Sequence, residues 1–209
     1  MITVSRGLAV PCGLLIGLVA CHAQEGGNAM TKSKQINRPD LGAVFDAHVK
    51  YEFVDRDVAA TMQTMTAEPY VYNVPTMTGG EGYEGVTRFY TNHFVGKMPS
   101  DTKVVRVSRT VGSDQVVDEL VLSFTHDVAL DFMLPGIPPT GRKVVLPHVV
   151  VMKFERGKIA HEHIYWDQGS LLAQVGLLDP TRLPVVGAEQ AKKLLAASQG
   201  PTTPRTRDR

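Results

Sequence analysis

Apolar residues at Leu41, Val44, Phe45 and Val49, with His48 and Glu52 on the same stripe, recur at steps of three and four, the mark of an amphipathic helix. Pro39 and Asp40 stand where first-turn residues belong. Asp57 is placed to cap a second, short helix carrying Val58, Met62 and Met65, which Glu68-Pro69 ends before a strand from Tyr70 to Val74. Thr78 to Gly82 reads as a loop, and a third helix carries Val86, Phe89, Tyr90, His93 and Phe94 to a glycine stop at Gly96. After Pro99 the period changes from helical to two. Lys103 to Val111 and Gln115 to Val128 alternate, a proline-rich loop follows from Leu134 to Pro139, and Leu146 to Gln168 forms a hairpin. Leu171 to Leu178 and Gly187 to Ser198 read as two further helices, and Pro201 to Arg209 as an unstructured tail. Helices first and long strands afterwards predict an α+β domain whose curved antiparallel sheet wraps over the helices.

Candidate chemistry concentrates in the hairpin. With Arg156 and Gly157 as a two-residue turn, Phe154 faces Ile159, and counting outward pairs Met152 with His161, Val150 with His163, His148 with Tyr165 and Leu146 with Asp167. One face then carries His148, His161, His163, Tyr165 and Asp167; the other carries Val149, Val151, Lys153, Glu162, Ile164 and Trp166. Imidazoles, a phenol and a carboxylate among apolar neighbours predict a half-buried polar cavity. His126, in step with Leu122 and Phe124, and the helical pair His48 and Glu52 are expected to reach the same space as substrate contacts, with His161. The apolar opposite face needs cover, which predicts a homodimer through the sheet.

Composition narrows the partners. The chain has 209 residues, 22 basic against 21 acidic, and lacks a basic stripe interleaved with aromatics, so a small-molecule partner is expected and nucleic acid is not. The two cysteines, Cys12 and Cys21, fall in the first segment, which leaves the rest of the chain without an internal disulfide or a thiolate metal site. That segment has one basic residue, Arg6, and an apolar run from Leu8 to Ala20, about 13 residues against the roughly 20 that a spanning helix needs. It ends in Leu18-Val19-Ala20-Cys21, which resembles a bacterial lipobox; the resemblance implies lipidation at Cys21 and an exported, membrane-anchored lipoprotein. An ordinary secretion signal cut near Ala23 and a start at Met30 are the other readings. The expected organisation is a signal segment over 1–21, a flexible linker over 22–38, a domain over 39–180 and a C-terminal helix and tail over 181–209.

The order of elements, with GKIAHEHIYWDQGSLLAQVGLLD from Gly157 to Asp179, resembles the SnoaL-like polyketide cyclases and their ester-cyclase relatives, in the nuclear-transport-factor-two-like superfamily. The resemblance implies a cone-shaped α+β fold over about Asp40 to Asp179, with helices closing a cone lined by the sheet. It also implies that an aspartate near the end of the last strand works as general acid/base, and Asp167 matches that position. On this reading Asp167 moves a proton in cofactor-free acid/base chemistry of cyclase, isomerase or hydrolase type, while His148, His163 and Tyr165 polarise the substrate. Two alternatives stand beside it: a metal held by His161, His163, Asp167 and His148, and a lipoprotein that binds a small ligand or a partner without catalysis. No cofactor is expected.

Overall fold

The computed structural model describes residues 39–198; the expected signal segment, Cys21, the linker and the final tail lie outside them. Helix α1 (Leu41–Lys50) starts where the Asp40 carboxylate accepts from the Ala43 N–H at 3.1 Å, and it runs on into a π-helical turn, Tyr51–Asp55. Helix α2 (Val58–Gln63) is capped in the same way by Asp57, which accepts from Ala60 N–H at 3.0 Å. Helix α3 (Gly82–Phe89) likewise continues as a π-helical turn, Tyr90–Phe94. Helices α4 (Gln168–Gln174) and α5 (Glu189–Ser198) follow the sheet. Among the described residues no helix is long and apolar enough to cross a membrane.

The sheet has six strands in the order β2-β1-β6-β5-β4-β3: β1 (Met65–Asn73), β2 (Thr78–Glu81), β3 (Lys103–Val111), β4 (Gln115–Thr125), β5 (Lys143–Glu155) and β6 (Lys158–Trp166). Three features differ from expectation. The second helix ends at Gln63, so Met65 to Pro69 belong to β1. Thr78–Glu81 is a strand, because it pairs antiparallel with Tyr70–Asn73 across a short turn. β1 and β6 run parallel, the one departure from an otherwise antiparallel sheet. Pro69 sits inside β1, where the pairing with β6 slips between Met65 and Tyr70; a residue without an N–H is tolerated there because the ladder is already interrupted.

The hairpin turn forms as expected. Arg156 and Gly157 both have positive φ, 51° and 78°, the pattern of a type I′ turn, and Phe154 faces Ile159. One residue later the register departs from the expected one. Ile159 pairs with Phe154 but His161 pairs with Lys153, so Ala160 is an extra residue, a β-bulge. Every side chain beyond it changes face. Glu162, Ile164 and Trp166 turn inward against Met152, Val150 and His148, while His161, His163 and Tyr165 turn outward. Deleting Ala160 is expected to restore simple alternation, drive Ile164 and Trp166 out of the core, and abolish the cooperative thermal transition followed by circular dichroism.

The inner wall can be written in rows across the strands. Val71, Glu162, Met152 and Val116 form one row; Asn73, Ile164, Val150 and Asp118 the next; Trp166, His148 and Leu120 the third. At the far edge the ladder between β3 and β4 also slips, between Arg106 and Ser108, which lets both Arg106 and Arg109 reach Asp118. Arg109 grips Asp118 with two N–H donors at 2.6 and 2.7 Å and reaches Asp46 of α1 at 2.9 Å, tying helix to sheet.

Candidate active site

Four side chains from three elements meet on the inner side. His48 comes from the buried stripe of α1, and Glu52 stands one turn later, in the π-helical continuation; Tyr90 opens the π-helical turn after α3, and Glu162 projects from β6. Both π-helical turns thus carry a member of the cluster, a placement common for functional groups. His48 Nε2 lies 2.9 Å from Glu162 Oε1, 3.1 Å from Glu52 Oε1 and 3.2 Å from the Tyr90 hydroxyl, which donates to Glu162 Oε1 at 2.9 Å. All four are buried: His48 is 0% exposed, Tyr90 1%, Glu162 4% and Glu52 6%.

The protonation of His48 follows from its other nitrogen. The Thr64 hydroxyl gives its only proton to the Thr61 carbonyl at 2.6 Å, so it must accept from His48 Nδ1–H at 2.5 Å. Nδ1 therefore keeps its proton, and Nε2 faces two carboxyls. A bare lone pair there would repel both, so Nε2 needs a proton as well and the ring is an imidazolium. Burial opposes this charge, but Glu52 and Glu162 outweigh burial and push the His48 pKa up to about 10. Burial raises the Glu52 carboxyl above the usual range, with His48 pulling it back and Glu162 pushing it further up. Two carboxyls thus converge on one N–H, and Glu52 is the one whose protonated form burial favours.

The cluster opens into a cavity of about 320 Å³. Glu52, Tyr90 and Glu162 line it with the apolar side chains of Phe45, Phe89, Phe94, Leu120, Ile164 and Trp166. His48 is not part of the lining and stands behind the carboxyls. His48, Glu52 and Glu162 also offer three donor atoms within 4.8 Å of one another, so this is the one group among the described residues able to converge on a metal ion. The donor set, one imidazole and two carboxylates, suits such an ion chemically; the hydrogen bonds just described satisfy the same atoms with a proton.

Residues 45–162 match the SnoaL-like domain family. The chain belongs to that family. Among solved structures, this SnoaL-like domain resembles a protein from Jannaschia sp. CCS1 assigned as a SnoaL-like polyketide cyclase, with 19% identity over 68% of this chain and 99% of the other and a TM-score of 0.51. It also resembles AclR from Streptomyces galilaeus, assigned as a hydroxylase, with 17% identity over 66% and 97% and a TM-score of 0.51. An NTF2-like protein of unknown function from Burkholderia pseudomallei K96243 matches at 12% identity over 65% and 97%, with a TM-score of 0.50. At these identities the likeness establishes the cone-shaped α+β fold alone. Among curated proteins none matches the chain.

The residues expected in the site from the sequence divide. His48 and Glu52 are in it, from the helical lid, and His148 lines the cavity on the third row. Tyr165 is 42% exposed and lies on the outer face with His161 and His163, whose rings stack 4.5 Å apart and continue onto Tyr70 and Tyr72 of β1. His148 is on the opposite face, so His148, His161, His163 and Asp167 do not converge on one metal ion. His126 is fully buried just after β4, with Nδ1 3.1 Å from the Thr140 hydroxyl, and does not line the cavity.

Asp167 is exposed at the mouth of α4, where its carboxylate accepts from Ser170 N–H at 3.0 Å and Gln190 Nε2 at 3.2 Å. That is the geometry of an N-cap. Asp167→Asn is expected to cost at most about 1 kcal/mol, read from the thermal midpoint, because Asn caps nearly as well. Glu162, Tyr90 and Asn73 entered the site unannounced. The signal for Glu162 was present as a carboxylate between two histidines, and only the bulge at Ala160 decided which of them faced in.

Proposed function

We propose that this SnoaL-like domain binds a small organic molecule in its cone and moves a proton on it by cofactor-free acid/base chemistry of cyclase or isomerase type. The observation that carries the reading is the pair of buried carboxyls, Glu52 and Glu162, flanking a single imidazolium N–H and open to a cavity whose wall is largely apolar. Such a pair holds one group ready to take a proton and one ready to return it, as abstraction beside a carbonyl requires. Glu162 and Glu52 are the groups that touch the substrate. His48 acts through them: its charge keeps one carboxyl ionised, and Thr64 holds the ring in place. The role that the resemblance implies for Asp167 passes to Glu162, because Asp167 lies outside the cavity.

The test uses 2-tetralone, a small ketone with acidic α-hydrogens, in deuterated buffer. The protein is expected to accelerate α-deuteration, followed by proton NMR, with one exchange per site per turnover and no added metal. No acceleration supports the alternative of a binding protein without catalysis. A stoichiometric metal in protein purified without a histidine tag overturns the proton-shuttle reading.

The export reading rests on the sequence alone. Mass spectrometry of the mature N-terminus tests it: an acylated Cys21 supports the lipoprotein, and cleavage near Ala23 overturns it. The homodimer now rests on an outer face made of Tyr70, Tyr72, His161, His163, Tyr165 and Val149 in place of Trp166 and Ile164. Sedimentation of the domain at a dimer mass supports it, and a monomer at micromolar concentration overturns it.

A further inference from the structure

Besides Asp118, which Arg106 and Arg109 neutralise, two polar groups on the inner wall play no part in the carboxyl cluster. Asn73 of β1 lines the cavity and is 3% exposed, and its Nδ2 has no hydrogen-bond partner. An amide group left unpaired in an apolar surround is costly, so such a group in a folded protein calls for an explanation. A side-chain amide nitrogen can only donate, so the atom that satisfies it is an acceptor oxygen or nitrogen.

His148 of β5 is the complement. Its Nδ1 lies 3.2 Å from the Leu146 carbonyl, which can only accept, so Nδ1 carries the proton. Burial pushes the His148 pKa down to about 4, against the pull of that carbonyl, so the ring is neutral near neutral pH and Nε2 presents a lone pair. Nε2 makes no hydrogen bond within the described residues, and the ring lies tilted 5.5 Å from Trp166 on the cavity wall. What satisfies it is a donor, a hydroxyl or an N–H.

The sheet register sets their relation to the carboxyl cluster. Asn73 stands in the row between that of Glu162 and that of His148. Two strand spacings of about 4.8 Å and one two-residue step of about 6.7 Å separate the Asn73 and His148 Cα atoms by about 12 Å. Glu162 is the diagonal neighbour of Asn73, on the side away from His148. A molecule whose acceptor oxygen meets Asn73 has the adjoining carbon near the Glu162 carboxyl and its far end toward His148.

We infer that Asn73 and His148 form a two-point reader for a neutral hydroxy-carbonyl compound, Asn73 donating to the carbonyl oxygen and His148 accepting from a hydroxyl at the opposite end of an apolar body. This deepens the proposed function and rests on its reading of the cone as a substrate cavity. It assigns Asn73 the place where negative charge develops when Glu162 removes a proton from the neighbouring carbon. Neither residue carries a charge, so the pair is matched to a neutral acceptor at one end and a neutral donor at the other.

The experiment compares four molecules of one skeleton, tetralin, 1-tetralone, 5,6,7,8-tetrahydro-2-naphthol and 6-hydroxy-1-tetralone, by titration with NMR detection on the full chain and on Asn73→Leu, His148→Phe and Glu162→Gln. On the unsubstituted protein 6-hydroxy-1-tetralone is expected to bind about tenfold tighter than either singly substituted molecule, since one net hydrogen bond is worth about a factor of ten. Asn73→Leu is expected to erase the advantage conferred by the ketone and to keep that of the hydroxyl; His148→Phe is expected to do the reverse. Equal affinity for all four molecules on the unsubstituted protein overturns the reader while the cavity stands as a binding site, and this comparison needs no variant to fold. Failure of all four to bind, on the unsubstituted protein and on Glu162→Gln alike, overturns the cavity reading and the reader with it. Binding that keeps its preferences in Glu162→Gln supports the reader whatever becomes of the proton-transfer proposal.

Discussion

Glu162→Gln is expected to slow α-deuteration of 2-tetralone by about 10²- to 10⁴-fold, the usual contribution of a positioned acid/base group. The amide keeps the volume and still accepts from the Tyr90 hydroxyl, so the neighbours stay in place, but it cannot take a proton. His48 keeps one carboxyl partner in this variant, Glu52 at 3.1 Å, so its charge is not abandoned in the core. Full truncation is a different experiment, since leaving a buried charge without its partner costs about 3 to 5 kcal/mol. The informative control is Asp167→Asn, which is expected to leave exchange within twofold of the unsubstituted protein. Exchange that survives Glu162→Gln and disappears with Asp167→Asn overturns the assignment of the acid/base role to the buried cluster.

Thermodynamic stability is expected to fall as pH rises from 6.5 to 10. The folded protein holds the His48 proton up to about pH 10, whereas the unfolded chain releases it near 6.5, so in this window the folded state binds more protons. Stability is full below the unfolded value and drains away as pH climbs through the folded one. The 3.5 units between 6.5 and about 10 correspond to a loss of the order of 5 kcal/mol. The groups that face His48 are Glu52 from the turn after α1, Glu162 from β6, Tyr90 from the turn after α3 and Thr64 after α2. Glu52, also raised, acts with the same sign at lower pH. On the acid side His148 works the other way: it resists protonation in the fold, so stability drops as pH falls from 6.5 toward about 4. Denaturant unfolding at pH 6.5, 8 and 9.5 checks the alkaline limb, and Glu52→Gln/Glu162→Gln is expected to flatten it. An unchanged slope in that double variant means that His48 is not the group that titrates.

Much of the architecture was legible in the chain. The stripe from Leu41 to Glu52 forms α1 and its π-helical continuation, the switch to a period of two after Pro99 marks the long strands, and Arg156-Gly157 makes the turn of the last hairpin. These features are local: each follows from a periodicity or a backbone preference within about ten residues. The helical half of the site was legible for the same reason, since His48 and Glu52 stand on the stripe that faces the core.

The strand half was not. A single inserted residue, Ala160, exchanges the two faces of β6, sending Glu162 to the carboxyl cluster and His161, His163 and Tyr165 to the outside. Within the hairpin the turn at Arg156-Gly157 specifies simple alternation, and that register would leave the apolar Ile164 and Trp166 on the outer face. What separates them is distant in sequence: Val71 beside Glu162, Tyr90 donating to it, and Tyr70 and Tyr72 stacking on the outward histidines. Local periodicity was enough to specify helices covering a curved sheet, and one helix bringing an imidazole and a carboxyl to its core face. Which strand residues met them depended on long-range packing, because burying Ile164 and Trp166 and pairing Glu162 with His48 stabilise one register over its neighbour, and those contacts exist only once the sheet has curved over the helices.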